Sequence, residues 1–139
     1  DIALINSTVA NNTAPEGSAM STDSSALLTL AGTVLQGTCG GLNAFTSDGY
    51  NLESPGDTCG FDQSTDQVSV IADDLKLGPL QDNGGPTMTH ALGAGSAAID
   101  LIPEVDCVDA DGEPLTTDQR GEPRPGGATC DVGAFEVQP

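Results

Sequence analysis

Apolar and polar positions alternate over two short stretches near the start of the chain. Ile5-Asn-Ser-Thr-Val-Ala-Asn-Asn12 sets Thr8 against Val9, and Leu30-Ala-Gly-Thr-Val-Leu-Gln-Gly37 sets Thr33 against Val34, at a spacing of 25 residues. A period of two with β-branched residues marks a strand whose successive side chains face opposite sides. Strand-and-turn units repeating every ~20 to 30 residues are what the coils of a parallel β-helix require. Each copy ends in residues that tolerate a left-handed corner, Asn11-Asn12 in the first and Gln36-Gly37 in the second. Residues 13–25 are a small-residue excursion, read as the outer part of a coil with a short strand near Ala19-Met20. A third coil is expected to open at Gly49-Tyr-Asn-Leu52, where Tyr50 and Leu52 alternate, after a Cys39-Gly-Gly41 loop.

The pattern then fades. Val68, Val70 and Ile71 favour a strand, and Ala72-Asp-Asp-Leu-Lys76 adds one helical turn. From Leu77 onward, Pro79, Pro86 and Gly84-Gly85 exclude regular helix and force an ordered, turn-built connection. Short apolar clusters recur between the turns (Leu77/Leu80, Ala91/Leu92, Ala97/Ile99, Val132/Ala134/Phe135), so the segment is expected to pack. Residues 104–127 lack alternation and contain Pro114, Pro123 and Pro125, which predicts a wrapped loop; residues 132–137 predict a short last strand. The chain thus divides into coils over 1–76 and an irregular closing segment of the same domain over 77–139.

The closing segment has a distinctive spelling: Leu77-Gly-Pro-Leu-Gln-Asp-Asn-Gly-Gly-Pro-Thr87, Met88-Thr-His-Ala-Leu92, Gly95-Ser-Ala-Ala-Ile-Asp100, Asp118-Gln-Arg-Gly-Glu-Pro-Arg-Pro125 and Cys130-Asp-Val-Gly-Ala-Phe-Glu136. It resembles the C-terminal region of bacterial secreted right-handed β-helix proteins of the choice-of-anchor Q type, often seen with the CSLREA segment. The resemblance covers residues 70–136. It departs at Ala91-Leu92-Gly93-Ala94-Gly95-Ser96, where a bulkier Leu-Leu-Pro spelling is commoner. It implies a short right-handed parallel β-helix of about three coils and a secreted or cell-surface setting, with no established activity.

Composition narrows the partners. With 21 acidic residues against Lys76, Arg120 and Arg124, the formal net charge is −18, which opposes binding to nucleic acid or to anionic membranes. No apolar run approaches bilayer length. Four aromatics and no Trp leave the core to Leu, Ile, Val and Ala. Asp1 stands where an initiator Met would, as expected of a processed form or of a piece of a longer chain.

Cys39, Cys59, Cys107 and Cys130 are an even set in a short chain, which reads as two disulfides in a secreted protein; three pairings are open. Cys39–Cys59 and Cys107–Cys130 are favoured, because each pair brackets its own Gly- and Pro-rich excursion. Each loop is about 20 residues and its closure is worth roughly 3 kcal/mol in the chain-entropy estimate. Zinc is disfavoured, since no Cys-x-x-Cys pair exists and His90 is the only histidine.

Candidate chemistry is sparse. In the acidic cluster that begins at Asp106, Asp109 and Asp111 alternate around Gly112 like the opening of a calcium loop, so Ca²⁺ is the one cofactor considered, but the closing Glu of an EF-hand loop is missing and a solvated acidic loop is the plainer reading. Asp73 and Asp74 are adjacent, which argues against a glycosidase pair facing one sugar. Polysaccharide-lyase chemistry needs a basic residue, and this chain has few. His90 lacks a nucleophile in any recognisable setting and is expected to bond backbone. Arg120, a guanidinium among turn formers, is expected to pair with Asp100 or Asp131 and to pin the closing loop.

The function read from the sequence is therefore an extracellular, non-catalytic structural module of the cell surface. A polysaccharide-binding adhesin, or a fragment of a polysaccharide lyase or hydrolase, is the alternative. The run Ile2-Ala-Leu-Ile-Asn-Ser-Thr-Val9 begins directly as a strand, so Ile2, Leu4, Ile5 and Val9 are expected to form an open edge for end-to-end assembly of copies into a filament.

Overall fold

The computed structural model describes residues 2–15, 19–22, 27–41 and 45–139. Eight short strands come first: β1 (Ile2–Ile5), β2 (Thr8–Val9), β3 (Met20–Thr22), β4 (Leu28–Ala31), β5 (Val34–Gln36), β6 (Cys39–Gly41), β7 (Phe45–Ser47) and β8 (Leu52–Ser54). They pair in parallel as β1-β4-β7, β2-β5-β8 and β3-β6. The chain thus passes repeatedly through the same strand directions, each pass bonded to the next. A parallel bridge between Leu52 and Gln67 continues the ladder into a fourth pass. The fold is all-β, with one helical turn, α1 (Ala72–Leu75), and a 3₁₀ turn at Glu104–Asp106 among the described residues.

The register differs by one residue from the spacing of 25. Thr8 lies opposite Val34 and Val9 opposite Leu35, a spacing of 26, and the next step pairs Val34 with Leu52. Matching Thr-Val to Thr-Val had aligned the wrong faces, because a one-residue slip inverts every side chain. What sets the register is the corner two residues earlier. Asn6, Gly32 and Tyr50 all adopt left-handed backbone, with φ of 46°, 56° and 58°. The Asn6 N–H donates to Ala31 O at 3.0 Å, and the Gly32 N–H to Gly49 O at 3.0 Å. The corners expected at Asn11 and Gly37 are present as well, with φ of 57° and 137°.

Other boundaries also moved. Cys39–Gly41 is strand β6 rather than loop, the third pass opens at Phe45 rather than Gly49, and residues 68–71 form no strand.

The β2-β5-β8 sheet is buried on both faces, as its fully buried Val34, Leu35, Leu52 and Glu53 show. Leu35 joins Leu28, Leu30 and Phe61 in a cluster inside the passes, with Val9 packed against it. Val34 and Leu52 face the other way, into a second cluster with Leu75, Leu92, Ala98, Ile102 and Val132. The closing segment thus lies along the flank of this sheet and reaches back to the first pass. The Gly133 N–H donates to Gly32 O (2.8 Å), and the Ala134 N–H to Thr8 Oγ1 (3.1 Å).

Two polar side chains are built into these passes. Asn51 donates through Nδ2 to Leu30 O and Ser47 Oγ, both at 2.9 Å, and accepts the Thr33 N–H at Oδ1. Glu53 Oε1 accepts the N–H and hydroxyl of Thr58, and Oε2 accepts the Cys59 N–H. A buried carboxylate is tolerated only with such donors.

The closing segment holds more regular structure than its prolines and glycines predict. β9 (Leu77–Gln81) pairs antiparallel with β10 (Thr89–Leu92) around the Gly84-Gly85 turn. Pro79 cannot donate to the ladder, but this is a two-stranded sheet, where each strand keeps a free edge. Residues 132–137 form no strand; side chains take the backbone N–H groups of Ala134, Glu136 and Val137 instead.

Candidate functional site

Charged side chains of the closing segment gather around Glu136, and there they hold backbone. Arg124 Nε donates to Glu136 Oε2 at 2.8 Å, and the two side chains are 1% and 0% exposed. Arg124 Nη2 also donates to Asp131 O (3.1 Å) and Gly133 O (2.7 Å). Glu136 in turn accepts the N–H groups of Gly126 and Asp131. A planar fork of fixed donors suits this task, and a lysine could not bond three acceptors in the same plane.

Arg120 pairs with Asp118, not with Asp100 or Asp131. Its Nε and Nη2 reach Asp118 Oδ2 at 2.9 and 2.7 Å, Nη2 also reaches Glu136 O at 2.6 Å, and the guanidinium stacks 3.7 Å from the centre of the Phe135 ring. The reason is local: a turn returns the chain from Asp118 to Glu122, with Asp118 Oδ1 accepting the Arg120 and Glu122 N–H groups. Asp131 is engaged elsewhere, accepting the N–H of Asp100 at Oδ1 and of Val137 at Oδ2. Asp100 has left-handed backbone (φ 55°), and its Oδ1 accepts the Thr129 N–H.

The two aspartates are tuned in opposite directions. Burial pushes the Asp118 carboxyl up, but the Glu136 N–H, the Arg120 guanidinium and the N–H groups of Arg120 and Glu122 outweigh it and hold the group below its ordinary value. Burial pushes Asp131 up; the Val137 and Asp100 N–H groups oppose this, and the nearby Glu136 and Asp100 carboxylates reinforce it.

The acidic loop does not assemble as a metal cage. Asp109 Oδ1 accepts the N–H groups of Asp111 and Glu113, closing its own turn, while Asp106 Oδ2 accepts the Tyr50 hydroxyl at 2.7 Å. That bond, ahead of burial and the Asp106 charge, raises the Tyr50 pKa. Among the described residues no group of three or more His, Cys, Asp or Glu side chains is placed to hold a metal ion. Of the three carboxylates considered for calcium, Asp106 and Asp109 are turned to protein donors.

Asp73 and Asp74 lie exposed on α1. His90 Nδ1 lies 2.7 Å from Gly78 O, across the β9–β10 pair, so it does bond backbone. The disulfides are Cys39–Cys59 and Cys107–Cys130. The first ties β6 to the turn that Glu53 organises, and the second joins two parts of the closing segment within the core. Two disulfides fit an oxidising extracellular setting. No helix among the described residues is long and apolar enough to cross a membrane.

Of the assembly residues, Ile2 is 62% exposed, while Leu4, Ile5 and Val9 are half-buried. β1 and β2 are the outer members of their sheets.

Sequence reading passed over Arg124, Asp118, Glu136 and Glu53. A signal was present for the first three: Arg124 is one of three cations and stands between Pro123 and Pro125, while Asp118 and Glu136 bound the two spelled blocks. Glu53 follows Leu52 and so faces the opposite side of the strand, into the passes. No family model, curated protein or solved structure matches the chain.

Proposed function

We propose that this chain is a non-catalytic structural module of the extracellular surface: a short right-handed parallel β-helix whose closing segment is clamped along its flank. One observation carries the reading. Arg120, Arg124, Asp118 and Glu136 are each turned to protein partners in the interior of the closing segment. Charged groups bonded in this way are positioned to hold a fold and are not free to act on a substrate. Three parallel sheets whose strands recur in the same order on each pass support the β-helix reading. The disulfides and the acidic surface agree with a secreted protein.

The test is turnover on a panel of neutral and anionic polysaccharides, with and without Ca²⁺, beside a glycan array. The reading predicts no product above the blank. Release of reducing or unsaturated ends would replace it with the lyase or hydrolase alternative, and saturable glycan binding with the adhesin.

End-to-end assembly is a second reading, favoured by the outer position of β1 and the exposure of Ile2. An open strand edge pairs readily with another copy. A charge of −18 opposes this contact, so filaments are expected to lengthen as salt rises from about 0.01 to 0.15 M. Discrete monomers by electron microscopy across that range would remove it.

A further inference from the structure

The β9–β10 turn carries the one Asn-Gly step in the chain, Asn83-Gly84. Asn-Gly is the dipeptide most prone to deamidation in an open chain, because a glycine leaves its amide nitrogen free to approach the preceding carboxamide. The Gly84 nitrogen attacks Asn83 Cγ, the bond from Cγ to Nδ2 breaks, and ammonia leaves with the proton that Gly84 gives up. Water then opens the succinimide at one carbonyl or the other, leaving aspartate or isoaspartate.

In the folded chain both reacting groups are engaged. Asn83 Nδ2 donates to Thr89 O at 2.8 Å and to Thr89 Oγ1 at 3.1 Å, and Oδ1 accepts the Gln81 amide at 2.9 Å. The Gly84 N–H donates to Asp82 Oδ1 at 3.0 Å, and that carboxylate disfavours the negative charge the nitrogen must gather to attack. Gly84 itself is exposed, and a Cβ there would meet nothing within 4 Å, so glycine serves its left-handed φ of 92° and not packing. The turn is also held from outside. Arg120 Nη1 donates to Asn83 O at 3.4 Å, Gln119 Nε2 donates to Thr87 Oγ1 at 2.8 Å, and a Cβ on Gly85 would stand 2.6 Å from Arg120 Cα.

We propose that Asn83 is a latent deamidation site, silent while the Asp118–Glu122 turn holds the β9–β10 hairpin shut and reactive once the hairpin opens. The conversion runs one way. Aspartate sets a carboxylate where an amide donor met Thr89 O, so two acceptors face each other and the hairpin does not close as before. Isoaspartate also inserts a methylene into the backbone of the turn. Either product adds negative charge to a chain already at −18. The site thus keeps a covalent record that the closing segment has loosened.

The test holds the chain in mildly alkaline buffer, folded and in urea, and follows deamidation at Asn83 by peptide mass mapping. The folded chain is expected to react at least about tenfold more slowly than the unfolded one. Arg120→Ala, which leaves the partners of Asn83 Nδ2 and Gly84 N in place, is expected to react at least about threefold faster than the folded parent. Gly32→Ala, which strains the first passes instead, is expected to react as the parent does. Asn83→Asp supplies one product directly, and hydrogen exchange is expected to show lost protection in β10. Equal rates in the folded and unfolded parent, no acceleration by Arg120→Ala, equal acceleration by Gly32→Ala, or a β10 as protected in Asn83→Asp as in the parent would overturn the proposal.

Discussion

Arg124 and Glu136 meet at 2.8 Å with both side chains sealed from solvent, and between them they hold four backbone groups of the closing segment. Arg124→Ala would strand Glu136 beside Asp131 and leave the carbonyls of Asp131 and Gly133 unpaired. A broken buried pair costs about 3–5 kcal/mol. Arg120→Ala is expected to cost less, about 1–2 kcal/mol, because the bonds it leaves open lie nearer the surface and Asp118 keeps three N–H donors. Urea unfolding of the two variants checks the order. Sequence analysis singles out Arg120 and assigns Arg124 no role, whereas Arg124 is the more deeply buried of the two.

Acid should stabilise this protein before it destabilises it. Asp131 has a folded pKa raised above its ordinary 3.8, so its protonated form contributes stability that is full below 3.8 and lost as pH rises through the folded value. Asp118 is shifted down, so its contribution is present above 3.8 and lost as pH falls through its lower folded value. The Tm should therefore rise as pH is lowered from neutrality toward the range just above 3.8, aided by the shrinking net charge, and fall below it. Asp131→Asn should flatten the rise. A variant profile parallel to the parent would show that Asp131 is not responsible.

The corner ladder leaves little room for a side chain at Gly32. Gly32→Ala forces a Cβ into left-handed backbone against Asn6 Oδ1 and Ile102 Cδ1, at an expected cost of about 2–3 kcal/mol. Asn6→Gly removes the nearer obstacle, so the double variant should lose less than the sum of the two singles. Strict additivity in denaturant melts would mean that the two corners do not touch.

These positions also mark what the sequence could reveal. The strand-and-turn alternation, the corners at Asn11 and Gly37 and both disulfide pairings were legible, since each depends on residues close in sequence or on bracketing. The true register was not, because Thr-Val repeats near Thr8 and Thr33 outweighed the corner residues Asn6 and Gly32 that position the ladder. The partner of Arg120 was hidden for a similar reason. Asp118 reaches it through a turn whose direction depends on tertiary packing, whereas Asp100 and Asp131 looked available only because their bonds to distant N–H groups leave no local trace. The Tyr50–Asp106 hydrogen bond joins residues more than 50 positions apart.

The central claim is that the closing segment and the parallel strands form one body, joined by internal charge. Hydrogen exchange of the parent and the Arg124→Ala variant, under conditions where both remain folded, tests it most directly. The account predicts that the variant loses protection not only at Gly126, Asp131 and Gly133 but also in the first pass, at Asn6 and Val9, because Gly133 and Ala134 bond to Gly32 and Thr8. Loss confined to residues around Arg124, with the first pass as protected as in the parent, would contradict it.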